Sequence, residues 1–118
     1  MEPDRLQAEQ QLTCVAHSAE FLAAPAGLKL GLARNARSGA WPLNGLRHPP
    51  SAGTCGWYIW SGTELSQAPD FFQPHHVEHL AEHLPEVLPF LGLAPGWRFL
   101  LAPARIDVWF DPSLLGTS

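Results

Sequence analysis

The chain has 118 residues, of which 46% are hydrophobic and 15% are charged, and its formal net charge is −4. This length suits one domain with one core, and the apolar content excludes intrinsic disorder. No run of Lys or Arg provides the basic surface that binding to nucleic-acid phosphates requires, so nucleic acid is not expected as a partner.

The two cysteines and the N-terminus indicate the cellular compartment. Cys14 and Cys55 are far apart and form no C-x-x-C pair, so neither a disulfide framework nor a cysteine-based zinc site is expected. The N-terminus is acidic and polar, unlike a secretory signal, and no apolar run is long enough to span a bilayer. We expect a soluble cytoplasmic protein that does not associate with membranes.

The first half of the chain predicts a helix, a strand and a long loop. Glu2, Pro3 and Asp4 favour a helix start, and an apolar stripe extends the helix to the sequence "APAG". The segment "LKLGLAR" then alternates as a half-buried strand does. Residues 35–53 are rich in Gly, Pro, Asn and Ser, which predicts a loop. The stripe of the first helix consists of Leu12, Val15, Ala16, Ala19, Leu22 and Ala23.

The second half predicts a central strand, a helix and a hairpin. "CGWYIWSG" is apolar on both faces, as a central strand is, and "WRFLLA" and "IDVWF" read as an antiparallel hairpin. Between them Val77, Leu80, Ala81 and Leu84 have helical spacing from Pro74 onward, with a kink or restart at Pro85. We therefore predict one α+β domain over residues 1–118, in which an antiparallel sheet with a C-terminal hairpin packs against an N-terminal helix and a central kinked helix.

The formal charges separate along the chain. Every charge in residues 21–63 is positive and every charge in residues 64–96 is negative. Two interpretations stay open, because the regions either neutralise each other across the fold or bind a charged partner. The basic residues are Lys29, Arg34, Arg37 and Arg47, and the acidic ones are Glu64, Asp70, Glu78, Glu82 and Glu86.

Four of the six histidines lie in "HHVEHLAEH". On a helix, His75, His79, Glu82 and His83 face away from the apolar stripe. The segment lacks the H-E-x-x-H motif, and no closed set of ligands accompanies it, so we expect a solvated polar face with no metal and no cofactor. The alternative is a small metal-binding protein or enzyme that uses His75, His79 and His83.

No catalytic residues can be assigned from the sequence. Ser51 and Ser61 lie outside a G-x-S-x-G motif, the chain has no phosphate-binding glycine loop, and Cys55 precedes an apolar strand, where a buried thiol is expected. The sequence thus predicts a protein that is not an enzyme.

The segments "CGWYIWSGTELSQAPDFF", "HVEHLAEHLPEVLPFLGLAPGWRFL" and "DVWFDPSLL" resemble immunity family thirty-three of bacterial polymorphic toxin systems. The resemblance is strongest over residues 45–115, whereas the helical first element departs from the early strand of that family. The residues that carry it are Gly56, Trp57, Gly62, Glu64, Pro69, Asp70, Pro85, Glu86, Pro89, Leu91, Pro95 and Gly96.

This resemblance implies a non-catalytic immunity protein that binds and neutralises a cognate toxin. Such a protein needs a rigid surface with aromatic anchors and steering charges. Trp41, Arg47 and His48 on the predicted loop and Glu78 and Glu82 on the acidic helix are the expected partner-binding residues, and the two groups are expected to flank one site. A general protein-interaction module, or a homodimer through the same aromatic surface, stays open as an alternative.

Overall fold

The computed structural model describes residues 3–66, 68 and 70–115 and confirms an α+β domain. Within these residues, two α-helices, three short 3-10 helices and six strands follow one another. They are α1 (Pro3–Ala16), β1 (Lys29–Ala33), β2 (Leu43–Arg47), β3 (Thr54–Ser61), β4 (Phe72–His76), a 3-10 helix (Val77–His79), α2 (Leu80–His83), a 3-10 helix (Pro85–Phe90), β5 (Trp97–Ala102), β6 (Arg105–Phe110) and a 3-10 helix (Pro112–Leu115).

The strands form one sheet in the order β4-β1-β3-β2-β5-β6. The central strand β3 and the hairpin β5–β6 are confirmed. The sheet is mixed rather than wholly antiparallel, since β1 pairs with β3 in parallel while the four other pairings are antiparallel. Two adjacent parallel strands must be joined by a crossover connection. Here the connection from β1 to β3 contains β2, which pairs with the edge of β3 that faces away from β1.

The prediction of a single loop over residues 35–53 is wrong, because β2 lies inside it. This strand pairs with β3 on one side and β5 on the other, so it is internal to the sheet. Gly45, which suggested a turn, is required by packing, since a Cβ at this position would collide with the ring of Phe99. A glycine in a strand often marks such a close approach.

Helix α1 ends at Ala16 and turns a different face to the core than the sequence predicted. The side chains of Leu12 and Val15 are 69% and 76% exposed. The packed side is formed by Leu6, Gln10 and Cys14, which follow one another at four-residue spacing. Gln10 Nε2 donates a hydrogen bond to the carbonyl of Leu88 at 2.9 Å, which explains why a polar residue lies on the buried side.

The predicted helix from Pro74 to Pro85 is wrong over its first part. Residues 72–76 form the edge strand β4, where Pro74 is tolerated because an edge strand leaves one row of N–H groups unpaired. Helical structure begins only at Val77. The break at Pro85 is confirmed, since α2 ends at His83 and a 3-10 helix begins at Pro85.

The main core lies between one face of the sheet and the segments that cover it, α1 and residues 77–93. Trp57, Ile59, Phe99, Leu80 and Leu84 are fully buried there. The opposite face carries a smaller cluster of Ala33, Leu46, Trp60 and Leu114. Within residues 3–66, 68 and 70–115 no helix is both long and apolar enough to cross a membrane.

Candidate functional site

Arg47, expected on a surface loop, is a core residue. Its side chain is 0% exposed and donates hydrogen bonds of 2.6 to 3.2 Å to five main-chain carbonyls. Among the described residues no carboxylate pairs with it, so the carbonyl dipoles compensate its charge. Arg47 is therefore not available to contact a partner. The carbonyls belong to Leu22, Ala23, Cys55, Leu91 and Leu93.

These carbonyls lie mostly on two irregular segments that run side by side. Phe21 and Leu93 form an isolated antiparallel bridge, and Leu22 N–H donates to the carbonyl of Gly92 at 2.9 Å. Irregular backbone leaves carbonyls without partners of their own, and buried ones must be satisfied. Arg47 satisfies them from the end of β2 and so joins both segments to the sheet.

Both thiols are buried beside Arg47. Burial raises the pKa of Cys14 and of Cys55, and the nearby Arg47 charge opposes this only in part. Cys14 Sγ donates to the carbonyl of Gly92 at 3.4 Å. A reactive cysteine needs a lowered pKa and access to solvent, so neither thiol has the properties of a nucleophile.

Trp41 and His48, expected on one loop, lie at opposite ends of β2. Trp41 precedes the strand and is 41% exposed. His48 follows it and is exposed, with Nδ1 3.1 Å from the carbonyl oxygen of Leu114. The five residues of β2 separate the two ends by about 17 Å. The two side chains therefore belong to different regions of the surface.

Glu78 and Glu82 are exposed in the segment that follows β4. Glu78 N–H donates to the carbonyl of Ala26 at 3.2 Å, just before β1 begins. Because β4 and β2 both run antiparallel to the parallel pair β1–β3, the end of β4 and the start of β2 lie at opposite ends of the sheet. Glu78 is thus remote from Trp41 and at the same end of the sheet as His48.

The basic and acidic regions neutralise each other only to a small extent. Arg34 and Asp70 form an ion pair at 3.5 Å in which both side chains are 67% exposed. Such an exposed pair contributes little to stability. The Ser38 hydroxyl also donates a hydrogen bond to Glu86 Oε2 at 2.5 Å. This bond joins the connection between β1 and β2 to the 3-10 helix Pro85–Phe90. Most carboxylates of the acidic region, residues 64–96, are therefore available to a partner at the surface.

The histidines divide into two groups. His75 and His83 line a cavity of ≈ 250 Å³ together with Arg34 and Arg37. His76 and His79 instead lie with Glu78, and one potential ligand atom from each of these three residues lies within 4.8 Å of the others. The alternation of side chains along β4 places His75 and His76 on opposite faces, which a helical interpretation could not reveal. The predicted trio His75, His79 and His83 is not brought together.

An apolar groove, which we call the α1–α2 groove, lies between α1, residues 21–26 and residues 77–91. Its volume is ≈ 370 Å³, and the exposed Glu78 is among its lining residues. The apolar lining comes from Leu6, Phe21, Ala24, Val77, Ala81 and Leu88. A concave apolar surface with a charged rim suits an apolar side chain that carries a positive charge nearby.

The sequence missed this groove because it joins three segments that are distant along the chain. The one available signal was the apolar sequence "FLAAPAG", whose Phe21, Ala24 and Ala26 line the groove. The burial of Arg47 was even less evident from the sequence. It lies at the end of a strand in "PLNGLR", and the Pro, Asn and Gly of this segment favour a loop over a strand.

The family model of the Imm33-like domain matches residues 9–111, which include all six strands. The match extends beyond residues 45–115, where the sequence resemblance is strongest, and it confirms that resemblance. No curated protein and no solved structure matches the chain. Since the family model spans most of the fold, including all six strands, α2 and the Arg47 network, the chain belongs to the Imm33-like domain family.

Proposed function

We propose that this protein is an immunity protein that binds and neutralises a cognate toxin domain in the cytoplasm without catalysing a reaction. The observation that carries the proposal is the match of the Imm33-like domain to residues 9–111. A neutralising protein needs a stable surface complementary to its toxin, and it needs no chemistry of its own.

The geometry supports a binding protein in two respects. The thiols, the most nucleophilic groups of the chain, are buried and their pKa values are raised. Two of the three segments that line the α1–α2 groove are in turn held to the sheet, because four of the five hydrogen bonds of Arg47 go to carbonyls of residues 22, 23, 91 and 93. A groove with a fixed backbone loses little conformational entropy when a partner binds.

We place the toxin contact at the α1–α2 groove and its acidic rim. The groove offers apolar lining for one anchor side chain, and Glu78 is one of its lining residues. The exposed Glu82 directly follows Ala81, another lining residue, and adds negative charge to the same segment. The expected occupant is a toxin segment that inserts an apolar side chain and presents Lys or Arg next to it. His48 lies at the same end of the sheet but packs against Tyr58 and Leu114 on the opposite face, so it lies outside this surface. Trp41 belongs to a further region at the other end.

Rescue in cells tests the function. The toxin domain encoded beside the gene for this chain is expressed in a bacterial host with and without the chain, and growth is measured. We expect growth to be restored and the two proteins to co-purify. Sizing chromatography of the chain alone separates this outcome from a homodimer that uses the same surface. Failure of both rescue and co-purification would remove the proposal.

A further inference from the structure

We propose that His76, Glu78 and His79 form a binding site for a transition-metal dication of the zinc class. One ligand atom from each residue lies within 4.8 Å of the other two. The expectation from sequence was a solvated face without metal, but that expectation assumed one continuous helix. The site does not depend on the proposed function.

The local backbone brings the three side chains together. His76 is the last residue of β4, and its extended φ of −68° and ψ of 140° lead into the 3-10 helix Val77–His79. A 3-10 helix has three residues per turn, so side chains three positions apart lie above one another. The rings of His76 and His79 accordingly meet edge to face, with their centroids 5.6 Å apart.

The core fixes this turn. Val77, which lies between His76 and Glu78, and Leu80, which follows His79, are buried. Val77 N–H donates to the carbonyl of Leu28 at 2.9 Å, and Glu78 N–H donates to that of Ala26. The Cα positions of the ligands are thereby set before any ion binds, and only side-chain rotation is left to complete the site.

The ligand types select the ion. Two imidazoles and one carboxylate suit Zn²⁺ and neighbouring transition metals, whereas Ca²⁺ and Mg²⁺ prefer oxygen ligands alone. Ligand atoms around tetrahedral Zn²⁺ lie roughly 3.3 Å apart, because each is about 2.0 Å from the ion. Glu78 and His79 are exposed and free to rotate, so closure from 4.8 Å requires no change in the core. Three protein ligands leave a fourth position for water or for a side chain of a partner.

Calorimetric titration of Zn²⁺ into the full chain, stripped with chelator and free of any histidine tag, tests the site. We expect one ion per chain. Loss of an outer-shell residue already weakens metal binding by about 10–100-fold, so loss of a ligand is expected to weaken it by at least about tenfold. His79→Ala and Glu78→Gln are the test variants, because both side chains are exposed and circular dichroism should show an unchanged fold.

His75→Ala with His83→Ala is the matched control. It removes two histidines from the same segment but none from the proposed site, since both line the other cavity. We expect it to keep the affinity of the unmodified chain for Zn²⁺, and Ca²⁺ is expected not to compete. The visible spectrum of bound Co²⁺ should change in His79→Ala and stay the same in the control. Absence of saturable binding, or equal losses in the test and control variants, would overturn the proposal.

Discussion

The guanidinium of Arg47 and the indole of Trp57 share one acceptor, the main-chain carbonyl of Leu91. Arg47 Nη1 donates to it at 3.2 Å and Trp57 Nε1 at 2.9 Å, and Arg47 Cζ lies 5.6 Å from the indole centroid. Leu91 follows the 3-10 helix Pro85–Phe90 and lines the α1–α2 groove. The pair thus connects the central sheet directly to the backbone of the proposed binding surface.

Arg47→Met should strongly destabilise the fold. Methionine keeps an unbranched side chain but removes every donor, and each buried polar group left unpaired costs about 1–3 kcal/mol. We expect the free energy of unfolding in urea to fall by at least about 3 kcal/mol, since five carbonyls lose a donor and, within the described residues, that of Leu91 alone among them keeps the Trp57 indole N–H as a side-chain donor. Arg37→Met, at an exposed position, is the control and should change it by less than about 0.5 kcal/mol. Similar effects of the two substitutions would show that the network does not stabilise the protein.

Gly45→Ala should destabilise through packing alone. The added methyl group collides with the ring of Phe99, and overpacking in a core costs about 1–3 kcal/mol. Gly27→Ala is the matched control, because a Cβ at that position meets nothing within 4 Å. Urea denaturation of both variants checks the difference. If Gly45→Ala were as stable as Gly27→Ala, the close contact between β2 and β5 would be wrong.

The thiols should make stability fall in alkaline solution. Burial raises the pKa of Cys14 and Cys55 in the folded chain, so the folded state holds these protons more tightly than the unfolded state does. The resulting stability is complete below the unfolded pKa of about 8.5 and is lost as the pH rises through the folded pKa. The free energy of unfolding should therefore decline above about pH 8.5. An alkylating reagent at neutral pH should label either thiol only after unfolding.

The double variant Cys14→Ala with Cys55→Ala separates this effect from other groups that titrate in the same range. It is less stable at every pH because it leaves cavities, but its alkaline decline should be shallower. If the stability of the double variant declined as steeply with pH as that of the unmodified chain, groups other than the thiols would cause the alkaline loss of stability. Rapid alkylation of the native chain would contradict the burial of the thiols.

Ala81→Phe should block the α1–α2 groove. Ala81 is exposed on α2 and lines the groove, so a phenyl group there occupies the space intended for the partner while the core is left unchanged. We expect affinity for the toxin to fall by at least about tenfold, as for loss of an interface anchor. Ala104→Phe in the exposed turn between β5 and β6 adds the same group elsewhere and should leave the affinity unchanged. Binding that is insensitive to Ala81→Phe would place the partner outside the groove.

The sequence predicted the strands that are rich in apolar and β-branched residues and whose side chains alternate between the two faces of the sheet. In β3, Trp57 and Ile59 face the core and are fully buried, and the β5–β6 hairpin follows the same rule. It failed where a tertiary contact decides the structure. Gly45 reads as a turn residue until Phe99 is known to lie over it. Pro74 reads as a helix start until β4 is known to be an edge strand.

The same limit applies to the site. The acidic and histidine-rich character of residues 75–86 was evident in the sequence, but its division into two faces was not, because this depends on β4 pairing with β1. Arg47 was expected to be a surface contact because it lies in the segment predicted as a loop, and loops run over the surface. Its burial follows from carbonyls contributed by residues 22, 23, 55, 91 and 93, which no local pattern connects.

Charge reversal on the acidic rim distinguishes between the two ends of the sheet. Glu78→Lys with Glu82→Lys should slow association with the toxin by about tenfold and reduce its dependence on salt, because steering charges act mainly on the association rate. Glu64→Lys with Asp70→Lys makes the same change in net charge on the connection from β3 to β4, at the far end of the sheet, and is the control. Trp41→Ala, also at the far end, should have no effect. The reverse pattern would move the contact to the Trp41 region.

Titration of the toxin domain with this chain tests the proposed function most directly. The purified toxin domain encoded beside this gene is titrated with the purified chain in the presence of chelator. Complex formation and toxin activity are both recorded. The proposed function predicts a complex of one chain with one toxin domain and a loss of toxin activity in proportion to the complex formed. A toxin that stays fully active at saturating concentrations of the chain, or that forms no complex with it, would contradict the proposed function.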